Sequence, residues 1–166
     1  MEFILRPWRM EDAPSVAKHA NNKKIADNLR NAYPFPYTLQ DALCYISNFA
    51  EQDGSYICRA IEVNGEAAGS IGVFQKDDVY EKSAEMGYWL AEPYWGCGIM
   101  TECIRQISAL AFKKLNIVRI FAEPYAYNTG SRRALEKAGF TLEGVLKKSV
   151  YKNGKIYDSC IYAIVR

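Results

Sequence analysis

The sequence predicts one mixed α/β domain spanning residues 1–166, and three observations carry that reading. Apolar positions switch along the chain between a period of two and a spacing of three to four, giving the order β-α-α-β-β-β-α-β-α-β-β. Two Asn-Gly dipeptides, Asn64-Gly65 and Asn153-Gly154, each stand between β-type runs, a strong hairpin signal. In mid-chain a strand runs through a Gly-x-Gly loop into the best helical pattern of the sequence.

Each element has its own local reason. Residues 3–6 start a short apolar strand, and residues 11–21 read as a helix, with Pro14 tolerable only in its first turn. Residues 31–37, Asn-Ala-Tyr-Pro-Phe-Pro-Tyr, exclude helix, because Pro34 and Pro36 force the residues before them to be extended. Thr38 caps the next helix, with Asp41 completing an imperfect capping box, and Leu39, Ala42, Leu43, Ile46 and Phe49 form its buried stripe. Residues 55–63 and 67–75 are the strands of the first hairpin, residues 76–82 a charged connection, and residues 84–90 a further strand. After the loop 92–98, a helix over 99–115 places Met100, Cys103, Ile104, Ile107, Leu110, Ala111 and Leu115 on one face. A strand over 118–122 and a helix over 129–138, stopped by Gly139, lead to the closing hairpin of residues 141–151 and 156–165.

A chain of 166 residues with 49% apolar and 24% charged side chains buries a core without disulfides. Its 21 basic and 19 acidic residues leave a formal charge of +2, which argues against a dedicated nucleic-acid binder. No stretch approaches the roughly 18 apolar residues of a membrane helix, and the first residues lack a signal-peptide pattern. Five cysteines (44, 58, 97, 103, 160) without CxxC spacing are expected as free thiols of a cytoplasmic protein. With His19 as the single histidine, a Cys/His zinc site lacks ligands and no metal is expected.

The chemistry concentrates at two strand-to-helix junctions. In Trp95-Gly96-Cys97-Gly98-Ile99-Met100-Thr101, two glycines let backbone N–H groups turn toward an anion, and the helix start adds partial positive charge. A pyrophosphate suits that geometry, each charge-assisted amide bond contributing about 1.5–3 kcal/mol. Alone the signal is weak, since Gly-x-Gly before a helix is commonly loop punctuation. It is neither a Walker loop nor a dinucleotide fingerprint. The second junction, Asn128-Thr-Gly-Ser131, adds an N-cap at the next helix start.

Together the segments 84–90 (Ala-Glu-Met-Gly-Tyr-Trp-Leu), 95–102 and 128–140 (Asn-x-x-Ser…Leu-Glu-Lys-x-Gly-Phe) resemble the GNAT superfamily of N-acetyltransferases, in particular its RimJ/RimL branch, which acetylates protein N-termini. The 35–38 segment and the closing hairpin with Tyr157-Asp158 fit the same branch, so the resemblance spans nearly the whole chain. It implies a mostly antiparallel, twisted sheet with splayed central strands. It also implies acetyl-CoA as co-substrate in the opening between residues 84–90 and 118–122. The pantetheine arm would pair with backbone near Tyr88, Trp89 and Leu90. The pyrophosphate would sit on the amides of Gly96, Cys97, Gly98, Ile99, Met100 and Thr101, and Asn128 would reach the cofactor arm. The chain departs from the family pattern at Trp95, at Met100, at Leu135 (where many relatives carry a tyrosine acid) and at Val150 (where some carry a glutamate).

Direct attack by an amine on the thioester needs a base for the amine and a stable thiolate. Glu85 and Glu123 are the candidate bases, and Ser131 is the candidate donor to the departing sulfur. Freeing an α-amine of pKa about 7.8 at pH 7 costs about 1 kcal/mol, against about 4.6 kcal/mol for a lysine amine. Uncertain acid and base residues therefore suit an α-amine, although a weakly basic small amine satisfies the same argument. Tyr33, Phe35 and Tyr37 are candidate walls of the acceptor pocket. The expectation is an N-acetyltransferase of protein N-termini. The alternatives are acetylation of a small amine (polyamine, amino acid, antibiotic) and a non-catalytic acyl-CoA-binding domain. The C-terminal hairpin is a candidate homodimer surface.

Overall fold

The computed structural model describes residues 1–50 and 54–166. Seven strands form one sheet: β1 (Ile4–Arg6), β2 (Tyr56–Val63), β3 (Glu66–Gln75), β4 (Ser83–Leu90), β5 (Arg119–Ala122), β6 (Thr141–Lys152) and β7 (Lys155–Val165). They lie in the order β1-β2-β3-β4-β5-β7-β6, and every pairing is antiparallel except β4 with β5. Helices α1 (Ala13–Ala20), α2 (Lys23–Ala26), α3 (Leu39–Phe49), α4 (Ile99–Lys114) and α5 (Thr129–Lys137) complete the domain.

Two cores flank the sheet. On one face Ile57, Ile71, Met86 and Ile120 pack with Cys103, Ile104, Ile107 and Ala111 of α4. On the other, Trp8, Val16, Ile46, Cys58 and Trp89 gather under α1 and α3. The apolar stripe expected of α4 is thus the stripe that is buried.

The local signals have their expected counterparts. Asn64 and Gly65, like Asn153 and Gly154, have positive φ, which makes both hairpin turns type I′. Thr38 and Asp41 form a complete capping box, the short aspartate reaching the Thr38 N–H at 2.9 Å. The one-turn helix α2 was not expected. Asn22 caps it by accepting from Lys24 N at 2.9 Å, and Ile25 and Ala26 enter the core. Among the described residues no helix is long and apolar enough to cross a membrane, and no cluster of three or more His, Cys, Asp or Glu is arranged to hold a metal.

One irregularity sets up the site. β4 and β5 pair at three positions only, Ser83–Arg119, Ala84–Ile120 and Glu85–Phe121. Beyond the Glu85–Phe121 pairing the two strands part, and among the described residues no strand pairs with the rest of β4 on that edge, while β3 stays in unbroken register along its other edge.

Candidate active site

The alternation of a strand fixes which peptide groups face the gap. At its start, Lys82 O accepts from Val118 N on the β5 side, while Ser83 O accepts from Lys76 N on the β3 side. At its end, Ala91 N donates to Ala68 O, again toward β3. The even positions Met86, Tyr88 and Leu90 therefore turn their peptide groups into the gap, and the odd ones turn them to β3. The peptide of Trp89 faces β3, and its indole is buried in the second core. Leu90 O is already bonded to Trp95 Nε1 at 2.7 Å. The Glu85–Phe121 pairing occupies Ala84 O and Met86 N–H, so the C=O of Met86, the peptide of Tyr88 and the N–H of Leu90 remain.

The loop that follows leaves backbone N–H groups free for an acceptor. Gly98 has φ +78° and Gly96 φ +73°, the left-handed region that side chains disfavour, and open space lies where their Cβ atoms would stand. The left-handed Gly98 is the N-cap of α4. Glu102 N closes the first turn on Gly98 O at 3.3 Å, so the N–H groups of Ile99, Met100 and Thr101 have no partner within the helix. These amides and the start of a 16-residue helix point at one region. An extended chain along β4 ending in a phosphate group fits that set. Met100 is partly buried against the first core, and Cys97 Sγ lies 3.6 Å from Trp95 O.

Across the gap stands α5. Asn128 caps it, its side-chain oxygen accepting from Ser131 N at 3.3 Å. Ser131 Oγ lies 2.5 Å from the Tyr88 hydroxyl, which joins the helix to β4 at the throat of the gap. Burial pushes the Tyr88 phenol well above its ordinary value, which keeps it protonated. The Tyr88 side chain escaped the sequence reading, which used this residue for its backbone alone. Leu135, at the position of the family's tyrosine acid, is fully buried. Arg132 is half-buried and donates to Tyr162 Oη at 3.2 Å and Ala126 O at 3.1 Å.

The two carboxylates share one face. With β4 in unbroken register, Glu85 points with Gly87 and Trp89, opposite to Tyr88. Glu123 falls on the same side of the sheet through the Glu85–Phe121 pairing. Glu85 Oε2 receives Arg30 at 2.7 Å. Glu123 Oε2 receives the fully buried Ser159 hydroxyl at 2.8 Å, and Ser149 follows at 2.7 Å. Arg30 carried no local signal in the sequence, being 55 residues from its partner.

The aromatic segment divides. Tyr33 and Phe35 line a cavity beside α2, whereas Tyr37 is 6% exposed and belongs to the second core. Its burial follows from the turn of backbone into the Thr38 cap, which aims Tyr37 inward against Tyr33 (ring centroids 5.2 Å apart). His19 is bound to Glu66 at 2.8 Å, and its ring centroid lies 6.4 Å from that of Tyr94.

Comparison with known proteins meets the same arrangement. The family model described as acetyltransferase (GNAT) domain matches residues 2–141. The uncharacterized N-acetyltransferase YoaA of Bacillus subtilis (strain 168) is 37% identical over 99% of this chain and 93% of its own length. The ribosomal-protein-serine acetyltransferase of Escherichia coli (strain K12) is 30% identical over 56% of this chain and 53% of its own. Among solved structures, the microcin C7 self immunity acetyltransferase MccE, in complex with acetyl-CoA and AMP, superposes with a TM-score of 0.84 at 27% identity, covering 99% of this chain and 93% of that one.

Proposed function

As the chain belongs to the acetyltransferase (GNAT) domain family and is an N-acetyltransferase, we propose that it takes acetyl from acetyl-CoA and transfers it to a protein N-terminal α-amine. The gap between β4 and β5 carries this reading. It offers Met86 O, the peptide group of Tyr88 and the N–H of Leu90 to a pantetheine arm, and the amides of residues 96–101 to a pyrophosphate. Asn128, whose oxygen is spent on its helix, keeps its amide N–H groups for the arm.

Acetyl-CoA supplies an activated carbonyl and a thiol of pKa about 8.5 as leaving group. Glu123 takes the proton of the attacking amine, directly or through one water. It is preferred over Glu85 because its bonded partner is the neutral Ser159, whereas the charge of Glu85 is matched by Arg30. Ser131 donates to the sulfur as the carbon–sulfur bond breaks and the electron pair leaves with it. Tyr88 donates to Ser131 and polarises it. A phenol ordinarily near 10, pushed higher by burial, holds its proton against a thiolate near 8.5. Tyr88 and Ser131 therefore act as a hydrogen-bonded pair and neither becomes an anion. A single carboxylate base suits an α-amine acceptor, which needs only about 1 kcal/mol to deprotonate at pH 7. The ribosomal-protein relative supports the same acceptor class.

Thiol release from acetyl-CoA, followed with peptide α-amines, N-terminally blocked lysine peptides and small amines, tests the proposal. Turnover greatest with free α-amines and a mass gain of one acetyl at the N-terminus support it. Turnover confined to lysine side chains overturns the acceptor assignment. No thiol release with any amine overturns the activity.

A further inference from the structure

The acceptor side of the domain holds a charge that acetyl transfer does not use. Lys152 ends β6 one residue before the Asn153-Gly154 turn and is only 8% exposed. Its ammonium donates to Leu29 O at 2.8 Å and to Asn31 Oδ1 at 3.0 Å. Both partners are neutral, and an ammonium has a third donor. The acid nearby is Asp27, but its Oδ1 already receives Lys23 Nζ at 2.8 Å and Asn153 Nδ2 at 2.9 Å. Two lysines thus share one carboxylate, which leaves the locality with a net positive charge. Buried charges are ordinarily paired, so this one is incomplete.

The same residues surround a space. Lys23, Asp27, Asn31 and Lys152 line a cavity of about 240 Å³ whose aromatic wall is Tyr33 and Phe35. Ligand pockets usually measure about 300–1,000 Å³, so this one accommodates a side-chain-sized group. It adjoins the reaction site through Arg30, the residue before Asn31, which reaches Glu85 on β4 at 2.7 Å. Asn31 turns its oxygen to Lys152, which leaves its amide N–H groups as donors.

We infer that this cavity is an anion subsite, and that the acceptor amine carries a carboxylate held by Lys152 and Asn31. The inference rests on the acetyl-transfer reading above and narrows its substrate class. In a peptide acceptor the carboxylate is an Asp or Glu side chain close to the N-terminus. In a small acceptor it is the carboxylate of an amino acid. A polyamine, with cations in place of the anion, is repelled.

The test uses matched pairs: peptides differing only as Asp against Asn, or Glu against Gln, at the second and third positions, and free amino acids against their amides, with spermidine alongside. The ratio of kcat/KM within a pair is the readout, so general losses of activity cancel. A ratio of at least tenfold in favour of the carboxylate is expected in one series, and the series in which it appears identifies the source. Lys152→Gln is expected to bring that ratio within about threefold, and Lys152→Arg to retain most of it. Should Lys152→Gln fail to fold, Asn31→Ala, at an exposed position, is expected to lower the ratio by itself. Ratios near one in both series overturn the inference, as does a preference undiminished in the folded variants, or spermidine as the best acceptor. A preference among amino acids with no peptide turnover overturns the N-terminal reading and supports the subsite. Turnover of neither series overturns both.

Discussion

The proposed donor and acceptor halves of this domain are made of different materials. The donor half is backbone: peptide groups along β4, two left-handed glycines and the unsatisfied amides of α4, all within residues 83–114. The acceptor half is side chains that meet from distant parts of the chain. Arg30 reaches Glu85 across 55 residues, Lys152 reaches Leu29 across 123, and Asn153 reaches Asp27 across 126. Tyr127 adds a hydroxyl bond to Asp27 O across 100. Backbone sites tolerate changes of side chain, so the donor half as proposed depends little on which side chains it carries. Side-chain sites change with single substitutions, so the acceptor half as proposed is the more readily altered.

The comparison is broken most severely by a substitution that alters backbone in the donor half. Gly98→Val puts a β-branched residue at φ +78°, where an L-residue is disfavoured by about 1–2 kcal/mol, and turns amides away from the phosphate. Calorimetric titration is expected to register at least a hundredfold loss of acetyl-CoA affinity. Cys97→Ser, which leaves the backbone alone, is expected to stay within about threefold. Normal affinity in Gly98→Val removes the phosphate assignment.

In the acceptor half the largest expected effect is chemical. Glu123→Gln is expected to lose more than tenfold in kcat/KM at pH 7, with the loss shrinking as pH rises and the amine deprotonates unaided. Glu85→Gln, which breaks an ion pair with Arg30, is expected to affect KM more than kcat. If the two profiles are exchanged, Glu85 is the base. If both variants stay within tenfold, water suffices.

Where the halves meet, Tyr88→Phe and Ser131→Ala are each expected to lower kcat about three- to tenfold, the scale of one hydrogen bond. The double variant is expected to be no worse than Ser131→Ala, because Tyr88 acts through Ser131. The Tyr88→Phe loss is expected to be constant below about pH 10, since burial raises the phenol pKa and keeps it protonated throughout that range. A loss that varies across pH 6–9 contradicts the hydrogen-bonding role.

The same division explains what the sequence could reveal. Helix α4, both hairpins and the Gly96–Gly98 turn are encoded by neighbouring residues, through periodicity, Asn-Gly dipeptides and glycine spacing. The facing of Trp89 depends on strand parity anchored outside it, at Lys82 and Ala91, which no neighbouring residue signals. Tyr37 was assigned to the acceptor wall because an aromatic in a proline-rich loop carries no mark of whether tertiary contacts bury it. Arg30, the Lys152 cavity and the Tyr88–Ser131 bond were illegible, since each joins residues 43 or more apart.

A change outside both halves provides the smallest functional effect. Burial pushes the Asp12 carboxyl up, but its bonds to Arg6 and the Arg9 N–H outweigh this and hold it below its ordinary value. Stability from a depressed carboxyl is present above the unfolded value of about 3.9 and lost as pH falls through the lower folded value. Asp12→Asn is expected to cost about 2 kcal/mol of stability at pH 7 and progressively less below pH 4, by thermal melts. Acetyl-CoA affinity is expected to be unchanged.

Amide hydrogen exchange with and without acetyl-CoA tests the central claim, that the donor lies along the parted edge of β4, most directly. Protection is expected at Tyr88, at Leu90 and from Gly96 to Thr101, with little change at Asn31 or Asn153. Protection confined to residues 23–37 and 152–153, with the glycine turn unaffected, would contradict the account.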